Sequence, residues 1–477
     1  MENLKLNKKN TFKIAFAFFG ILMLWQAYNF YCPLILKALL QEKGTSYQNF
    51  IIGIIMALDN VVAIIVMPIV GRLSDKTNTK WGKRMPYIIL GMLITIVVFP
   101  LIALFFYFDS LIGVIIAMLL FLIVMQAYRS PAVAFMPDIT PKPLRATANG
   151  IINLIGYFGA VFVAILGMLP FLKITNKPGE PFTADQITSM QSTVLIPFII
   201  CTVVLIGVLV FLVITVKENK MLKETEADVA KGEALAETNE QIKENNVLSK
   251  VDKFNFYMII IAIFFWFMSF NSFETFGSTF SVNVLGNSGI MSTMTIILTV
   301  TSIISFVAFS SLSNKIGRKL TIVIGLALLI VSLSAMGVVS LVVDFSKYSD
   351  GKIGSWPIFF YLMAAILGTG WALVNINSFP MIVEFSNKEN IGRFTGYYYS
   401  SSMLAQSITP VLIGIIMDDP FGKFGNSGLK LLFVYASIMM IVALVIFLFV
   451  KEKITLKERR AMHKEKKSAL ENLGDID

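Results

Sequence analysis

The sequence predicts an all-α polytopic membrane protein, with twelve transmembrane helices in two pseudo-symmetric six-helix bundles. Of its 477 residues, 56% are hydrophobic and only 15% are charged, and the mean hydropathy of +0.75 lies well outside the profile of soluble domains. Apolar runs of about 20 residues, the length that crosses the roughly 30 Å core of a bilayer, recur about twelve times. The chain is therefore expected to span a membrane rather than to lie on it.

The apolar runs predict helices at 12–37, 50–70, 87–107, 111–136, 146–171 and 192–216, then at 254–280, 290–312, 320–343, 356–381, 391–416 and 430–450. This division gives an N-terminal six-helix half at 1–216, a cytoplasmic linker at 217–253, a C-terminal six-helix half at 254–450 and a basic cytoplasmic tail at 451–477. The linker mixes Lys and Glu with few apolar residues, which is typical of a solvated segment. We expect no chemistry from it.

The formal net charge is +10. The basic residues are distributed along the chain as expected for membrane topology rather than for a nucleic-acid-binding surface. Loops on one side of the predicted helices are basic and loops on the other side are poor in lysine, so the positive-inside rule places both termini in the cytoplasm. The first apolar run has no small-residue cleavage site, which predicts a retained helix rather than a signal peptide. Short Lys- and Asn-rich loops are compatible with the plasma membrane of a bacterium, its inner membrane.

Residues for conventional enzyme chemistry are scarce. The only histidine, His463, lies in the polar C-terminal tail, and the two cysteines, Cys32 and Cys201, lie within apolar runs. The sequence has no P-loop motif, so ATP-driven pumping is not supported. We expect a protein that is not an enzyme and that has no metal site and no cofactor. A monomer can hold the whole pathway, so a monomer is expected.

The two halves of the chain repeat each other at two kinds of loop. The loop after the second helix contains Gly71-Arg72-Leu73-Ser74-Asp75 and then Gly82-Lys83-Arg84. A degenerate copy after the eighth helix contains Ser310-Ser311-Leu312-Ser313-Asn314 and then Gly317-Arg318-Lys319. After the fourth helix come Asp138, Arg145 and Gly150, and after the tenth come Glu384, Arg393 and Gly396. Duplicated halves form a central site at their interface in many transporters.

Polar groups in the apolar runs concentrate in certain helices. The third, sixth, ninth and twelfth helices have no ionisable residue and are expected to face lipid. Polar side chains at membrane depth are costly unless they face a cavity or a partner, so the other helices are expected to surround a wet cavity. Their polar residues are Gln26, Asn29, Asp59, Asn60, Gln126, Arg129, Asn149, Asn153, Asn271, Glu274, Asn375, Asn377 and Gln406.

The segment from Gly71 to Tyr87 resembles the signature loop of the major facilitator superfamily. It has the longer form, with D-x-T-x-x-x-W-G-K/R-R spacing, of the glycoside/pentoside/hexuronide cation symporters and the sucrose/maltose-type proton symporters. Gln126-Ala127-Tyr128-Arg129-Ser130 through Pro137-Asp138 resembles the fourth-helix segment of sucrose-type symporters, whose arginine is implicated in sugar binding and coupling. The resemblance covers the whole twelve-helix chain and implies the major facilitator fold and import of a di- or oligosaccharide with a cation.

Two residues depart from the family pattern. Asn314 stands where the signature has an aspartate. Gln126 lies near the position where sodium-using melibiose-type carriers place an aspartate, and this departure favours protons over sodium as the coupling cation.

A sugar site needs side-chain amides, hydroxyls and charged partners, together with aromatic faces for the apolar side of the ring. Helical spacing places Asn149, Asn153 and Tyr157 on one face of the fifth helix, and Trp371 and Asn375 on one face of the tenth. The alternative is that these amides and tyrosines only hold neighbouring helices together. The candidate substrate-binding residues are Trp25, Gln26, Tyr28, Asn29, Asn60, Gln126, Arg129, Asn149, Asn153, Tyr157, Asn271, Trp371, Asn375, Tyr399 and Gln406.

Proton coupling needs a group that changes charge during the cycle, and the candidates are Asp59, Glu274 and Arg129. Burial favours the protonated form of a carboxyl group, whereas a nearby cation favours the ionised form. We expect Arg129 to pair with a carboxylate, Asp59 first, in the empty carrier, and sugar hydroxyls to compete for the guanidinium. Proton and sugar would then bind together. The alternative is a permanent Asp59–Arg129 ion pair that only orders the helix packing.

Charged loop residues at the cytoplasmic helix ends are candidate gate residues, because charge pairs there can hold one access state closed and separate in the other. The alternative is that the basic ones only keep the loops inside the cell. The gating candidates are Gly71, Asp75, Gly82, Arg84, Asp138, Arg145, Glu384 and Arg393.

Together, these features predict a secondary active transporter that imports a disaccharide or glycoside, maltose- or sucrose-like, by proton-coupled symport with alternating access. A sodium-coupled glycoside symporter and a drug or metabolite exporter of the same fold are alternatives. A membrane receptor that has lost transport is an alternative of another class. The expected partners are a small sugar, the coupling cation and the lipid bilayer.

Overall fold

The computed structural model of the chain describes residues 4, 6–241, 249–309, 312–348, 354–385, 391–418 and 425–452. His463, Ser310-Ser311, linker residues 242–248 and the tail at 453–477 lie outside the described residues, as does the side chain of Asn314. The α-helices in chain order are α1 (Lys8–Glu42), α2 (Gln48–Lys76), α3 (Met85–Tyr107), α4 (Leu111–Asp138), α5 (Arg145–Met168), α6 (Ala184–Thr215), α7 (Glu218–Gln241), α8 (Lys250–Asn283), α9 (Ser288–Phe309), α10 (Leu312–Ile316), α11 (Arg318–Val342), α12 (Trp356–Val383), α13 (Ile391–Met417) and α14 (Leu432–Leu448).

Twelve of the described helices are long and apolar enough to cross a membrane, which confirms the predicted all-α polytopic fold. All except α7 and α10 belong to this set. Several helices extend beyond the predicted apolar runs. The helix α6 begins at Ala184 rather than at 192, because Thr183 and Gln186 form a capping box that starts the helix in a polar stretch. Hydropathy marks the lipid-embedded part of a helix and not its polar ends.

The predicted linker differs from the expected solvated segment over residues 218–241, because these residues form the helix α7. Met221 and Thr225 are buried, and the carboxylate of Glu218 contacts the loop between α2 and α3. Asn219 donates hydrogen bonds from Nδ2 to the carbonyl oxygens of Thr79 and Lys80, at 3.2 and 3.1 Å. The helix is therefore fixed to the N-terminal bundle.

The membrane helices form two bundles, α1–α6 and α8–α14 without the short α10, which meet through α1 and α8, α2 and α13, and α5 and α9. We call the end of the molecule that carries the loop between α2 and α3 the basic end, and the opposite end the far end. The helices α3, α6, α11 and α14, which the sequence predicts to face lipid, expose large apolar side chains on the outer surface of the bundles. Examples are Val97, Val203, Val331 and Val445.

Contacts between the two bundles are close at the far end. A Cβ atom on Gly53 of α2 would lie 2.1 Å from the carbonyl oxygen of Pro410 of α13, so only a glycine permits this approach. The carboxylate of Asp418 accepts hydrogen bonds from the backbone N–H groups of Asn49 and Phe50, at 2.9 and 2.7 Å. The far end is therefore closed.

Candidate functional site

A cavity of about 290 Å³ lies between the two bundles. It is lined by α1, α5, α8, α9, α12 and α13, and by no residue of the helices that face lipid. The predicted site residues that line it are Gln26, Asn29, Tyr157, Asn271, Glu274, Trp371 and Gln406. The polar pattern of the sequence therefore indicates several groups that face one central space.

One wall of the cavity is aromatic. The rings of Phe270 and Trp371 are stacked, with centroids 3.8 Å apart and planes inclined by 10°, and Phe267 packs edge-on against Trp371 at 5.7 Å. Glu274 follows Phe270 by one turn of α8, so its carboxylate lies beside the aromatic wall. The Nδ2 atom of Asn29 donates a hydrogen bond to Oε1 of Glu274 at 3.4 Å, which joins the two bundles in the middle of the molecule.

Four further substrate candidates lie between the cavity and the basic end. Asn149 and Asn153 precede Tyr157 by two turns and one turn on α5, which begins at the basic end. Tyr399 lies about two turns before Gln406 on α13, and Asn375 lies one turn beyond Trp371 on α12. None of the four lines the cavity. Asn153 and Asn375 are half-buried, and Asn149 and Tyr399 are exposed.

The remaining substrate candidates do not line the cavity. Tyr28 is buried, and its ring stacks on Phe121 of α4 at 5.5 Å, so it faces the interior of the N-terminal bundle. Asn60 and Gln126 are buried as well. The ring of Trp25 lies against Arg129, with the guanidinium carbon 4.4 Å from the ring centroid. Trp25 and Arg129 are half-buried. These residues therefore stay predicted substrate contacts, although none of them lines the cavity.

The structure does not form the expected direct ion pair between Asp59 and Arg129. Gln126 stands between them: its Nε2 donates to Oδ1 of Asp59 at 2.9 Å, and its Oε1 accepts from Nη1 of Arg129 at 3.4 Å. With Trp25 over the guanidinium, these four side chains form one connected group beside the cavity. A side-chain amide has both a donor and an acceptor, which lets Gln126 satisfy an anion and a cation together.

Three gating candidates form one cluster at the basic end. Arg84 forms ion pairs with Asp75 at 2.5 Å and with Asp138 at 2.9 Å, and it donates to Oγ of Ser74. Burial lowers the pKa of the Arg84 guanidinium, but the hydrogen bonds and charges of Asp138 and then of Asp75 outweigh burial and raise that pKa above its ordinary value. The cluster lies within the N-terminal bundle, so it braces α2, α3 and α4 and does not link the two bundles.

The other gating candidates occupy separate places. Arg145 donates to the carbonyl oxygens of Thr140 and Pro137, at 3.3 and 3.2 Å, and so closes the turn between α4 and α5. Arg393 is exposed. A Cβ atom on Gly71 would lie 3.1 Å from Oγ of Ser130, which shows how closely α2 and α4 pack there.

The C-terminal bundle repeats the cluster with other residues. Arg318 forms an ion pair with Glu384, as Arg84 does with Asp138.

The carboxylate of Glu218 accepts backbone N–H groups at the start of α3, from Lys83 at 2.9 Å, from Arg84 at 2.9 Å and from Met85 at 2.8 Å.

Glu452 in the same way accepts the backbone N–H of Lys319 at the start of α11, at 2.5 Å. Sequence reasoning missed both glutamates. Their signal is a second repeat, Val216-Lys217-Glu218 after α6 and Val450-Lys451-Glu452 after α14.

A hydroxyl-bearing face of α9 was also missed. Thr295, Thr299 and Ser302 line the cavity at a spacing of one turn each. Their hydroxyl groups donate to backbone carbonyl oxygens, Thr299 to Thr295 at 2.8 Å and Ser302 to Gly368 at 2.9 Å. Their oxygen lone pairs therefore remain as acceptors beside the cavity. The i, i+4, i+7 spacing is the signal that could have identified them.

Twelve membrane helices in two bundles around a central cavity, with charged clusters at one end, define the architecture of a membrane transporter. The model of the Major Facilitator Superfamily matches residues 14–348 and 310–476, and the chain belongs to this family. No curated protein matches the sequence.

Several solved structures are similar to the chain in fold. The xylose transporter XylE from E. coli, in an inward open conformation, has 12% identity and a TM-score of 0.62 and covers 94% of this chain and 98% of its own. A POT family transporter in complex with 5-aminolevulinic acid has 12% identity, a TM-score of 0.62 and coverages of 93% and 95%. A mutant of the nucleoside transporter NupG has 12% identity, a TM-score of 0.58 and coverages of 94% and 99%. At these identities the likeness establishes the shared fold.

Proposed function

We propose that this protein is a secondary active importer of a disaccharide or glycoside, maltose- or sucrose-like, driven by proton symport with alternating access. The observation that carries the proposal is the composition of the cavity, where amides and hydroxyls surround the stacked rings of Phe270 and Trp371. The side-chain Oδ1 of Asn271 has no hydrogen-bond partner among the described residues and is an acceptor for a sugar hydroxyl. The resemblance of residues 71–87 to the signature loop of sugar–cation symporters supports the same substrate class.

Coupling is proposed to use the two carboxyl groups near the cavity. In the empty carrier, Glu274 accepts a hydrogen bond from Asn29, and Asp59 accepts one from Gln126. Sugar hydroxyls compete for the Asn29 amide, and loss of a donor favours the protonated form of a buried carboxyl. Arg129 acts through Gln126, because their contact sets how firmly the amide holds Asp59. Proton and sugar then bind together.

The basic end is proposed to be cytoplasmic, with both termini inside and the protein in a bacterial plasma membrane. On that orientation, the closed far end and the cavity describe an inward-facing state. The boundaries 1–216, 217–253, 254–450 and 451–477 are proposed as the two halves, the linker and the tail, with α7 as a structured part of the linker. The charged clusters around Arg84 and Arg318 keep the helix ends of each bundle together during rocking, so their loss changes turnover more than apparent affinity.

A drug or metabolite exporter is the second candidate, favoured by the phenylalanines among the cavity residues. Phe30, Phe267, Phe273 and Phe306 line the cavity in addition to the stacked pair, and such a surface also suits an amphipathic aromatic compound. Counterflow distinguishes the two candidates, because an importer of sugars exchanges labelled disaccharide and the exporter exchanges none.

The test of the sugar proposal is counterflow of labelled disaccharides in proteoliposomes, in sodium-containing and sodium-free buffer. We expect exchange without sodium and a Trp371→Leu variant whose apparent KM rises roughly 2- to 10-fold, the effect of losing an aromatic contact. Trp371→Phe should retain most of the affinity. The matched control is Trp356→Phe, at the far end of the same helix and outside the cavity. Exchange that requires sodium would show that the coupling ion is sodium and not the proton. No exchange of any tested disaccharide would contradict the proposed sugar substrate.

A further inference from the structure

A second cavity, of about 380 Å³, lies at the basic end between the start of α1, the end of α6 and the start of α7. Four lysines line it: Lys9, Lys13, Lys217 and Lys220. It is separate from the central cavity and shares no residue with it. No step of the proposed transport cycle uses these lysines.

The charge in this cavity is only partly compensated. Glu224 is its single acidic residue, so the four lysines leave a net charge of 4 − 1 = +3. Lys220 lies 3.8 Å from Glu224, which also accepts a hydrogen bond from Asn10 at 3.4 Å. Lys9, Lys13 and Lys217 form no ion pair with any residue in the described ranges. Like charges close together repel, and an anion bound between them would relieve that repulsion.

The depth of the cavity points to lipid as the source of that anion. The membrane span of α6 ends at Thr215, and the uninterrupted apolar stretch of α1 follows Lys13, so the lysines lie at the boundary of the apolar belt. Ile214 lines the cavity and is 67% exposed, which makes the cavity continuous with the outer, lipid-facing surface of α6. A phosphate between the lysines would thus have room for an acyl chain directly below it. A soluble anion would gain nothing from this apolar surface.

We propose that this cavity binds the phosphate headgroup of an anionic phospholipid, with Lys9, Lys13 and Lys217 around the phosphate and an acyl chain along Ile214. Basic pockets at the ends of membrane helices bind such headgroups through charge-assisted hydrogen bonds. The inference stands apart from the transport proposal, because it does not depend on the substrate or on the coupling ion.

The experiment measures binding of phosphatidylglycerol and of phosphatidylcholine to the full-length protein in detergent by native mass spectrometry. The test variant is Lys13→Gln/Lys217→Gln. The control is Lys250→Gln/Lys253→Gln, which removes the same charge from the start of α8 at the same end. A basic residue near an anionic headgroup contributes roughly fivefold in affinity, so we expect phosphatidylglycerol to bind the test variant roughly 25-fold more weakly and the control normally. Monodisperse elution of both variants confirms that they are folded.

Two outcomes would overturn the proposal. Equal weakening in the test and control variants would show that the lipid responds to the surface charge of the whole basic end rather than to this cavity. Displacement of phosphatidylglycerol by glycerol phosphate at matched concentration would assign the cavity to a soluble phosphate. Preference for phosphatidylglycerol over phosphatidylcholine that is lost only in the test variant supports the lipid site.

Discussion

Asn29 and Glu274 are hydrogen-bonded to each other across the interface between the two bundles, with Nδ2 and Oε1 3.4 Å apart. Both side chains line the central cavity, so a substrate that enters it must meet this pair. In the proposed mechanism, the substrate and the Glu274 carboxylate share the Asn29 amide, so that occupancy of the cavity is linked to the protonation of Glu274. The pair is therefore the point at which binding and coupling meet in the proposed mechanism.

The Glu274→Gln variant should lose uphill sugar accumulation and keep counterflow exchange. The glutamine keeps the size of the side chain and its contact with Asn29, but it cannot take up or release a proton. The measurement compares the two activities in the same proteoliposomes. Asp344→Asn, an exposed carboxylate in the loop after α11, is the matched control and should retain both. Accumulation by Glu274→Gln would remove this residue from coupling.

The Asp59→Asn variant should also lose uphill sugar accumulation and keep counterflow exchange, because Gln126 can still hydrogen-bond the new amide. If the Asp59–Gln126–Arg129 group only orders the helices, the variant instead loses stability and both activities fall together. Thermal unfolding of the purified variant, followed beside its transport, distinguishes these cases. Loss of neither activity would contradict the coupling role of Asp59.

The fold could be predicted from the sequence because apolar length is a local property. A run of about 20 apolar residues has few alternatives to a membrane helix, whatever the rest of the chain does. The helix α7 could not be predicted in this way, since its buried face consists of few residues such as Met221 and Thr225. What holds it is the contact of Glu218 with a loop that lies more than a hundred residues earlier, at Lys83 and Arg84.

The site could be predicted in part. Helical spacing identified Tyr157 and Trp371 as members of polar faces, and both residues line the cavity. Spacing does not reveal distances between helices, so the position of Gln126 between Asp59 and Arg129 had no signal in the sequence. The repeated Val-Lys-Glu triplets did give a signal for Glu218 and Glu452, but it lay in segments expected to be solvated.

The Gly82→Ala variant should be less stable than the natural protein by about 1–3 kcal/mol, the usual cost of backbone strain at a single residue. Gly82 has φ of +105°, and an added Cβ would lie 2.2 Å from the carboxylate of Glu218. Three backbone hydrogen bonds hold that carboxylate, so it cannot move aside cheaply. The control Gly207→Ala lies in α6 with no atom within 4 Å of its added Cβ and should unfold at the same temperature or higher. Equal unfolding midpoints for Gly82→Ala and the natural protein would show that a side chain at position 82 causes no strain.

Removal of the Glu218 carboxylate by Glu218→Ala should destabilise the protein by about 1–2 kcal/mol, because the start of α3 loses its cap and a favourable charge. Glu452→Ala should do the same for α11. The two sites lie in different bundles, so their effects on the unfolding midpoint should add. Glu226→Ala, an exposed residue of the same α7, is the control. The capping role fails if Glu218→Ala and Glu226→Ala are equally stable.

The Gly53→Val variant should open the far end of the molecule. A valine cannot fit against the carbonyl of Pro410, so α2 must separate from α13. With Ala160→Cys as a reporter in the cavity, a membrane-impermeant maleimide added from the far side should label Gly53→Val faster than the parent. Gly207→Val, which meets no neighbouring atom at its Cβ, is the control and should label at the parent rate. Unchanged labelling of Gly53→Val would show that this contact does not close the far end.

Sugar–proton symport is tested most directly with a pH electrode in a lightly buffered suspension of de-energised cells that express the protein. Addition of maltose, sucrose or another disaccharide without sodium should make the medium more alkaline, and cells that express Glu274→Gln should give no such change. Alkalinisation with one sugar establishes the substrate and the coupling ion together. If the pH of the medium stays constant with every tested sugar, and the cells accumulate or expel another compound instead, the protein is not a sugar–proton symporter. Only the family and the fold would then remain established.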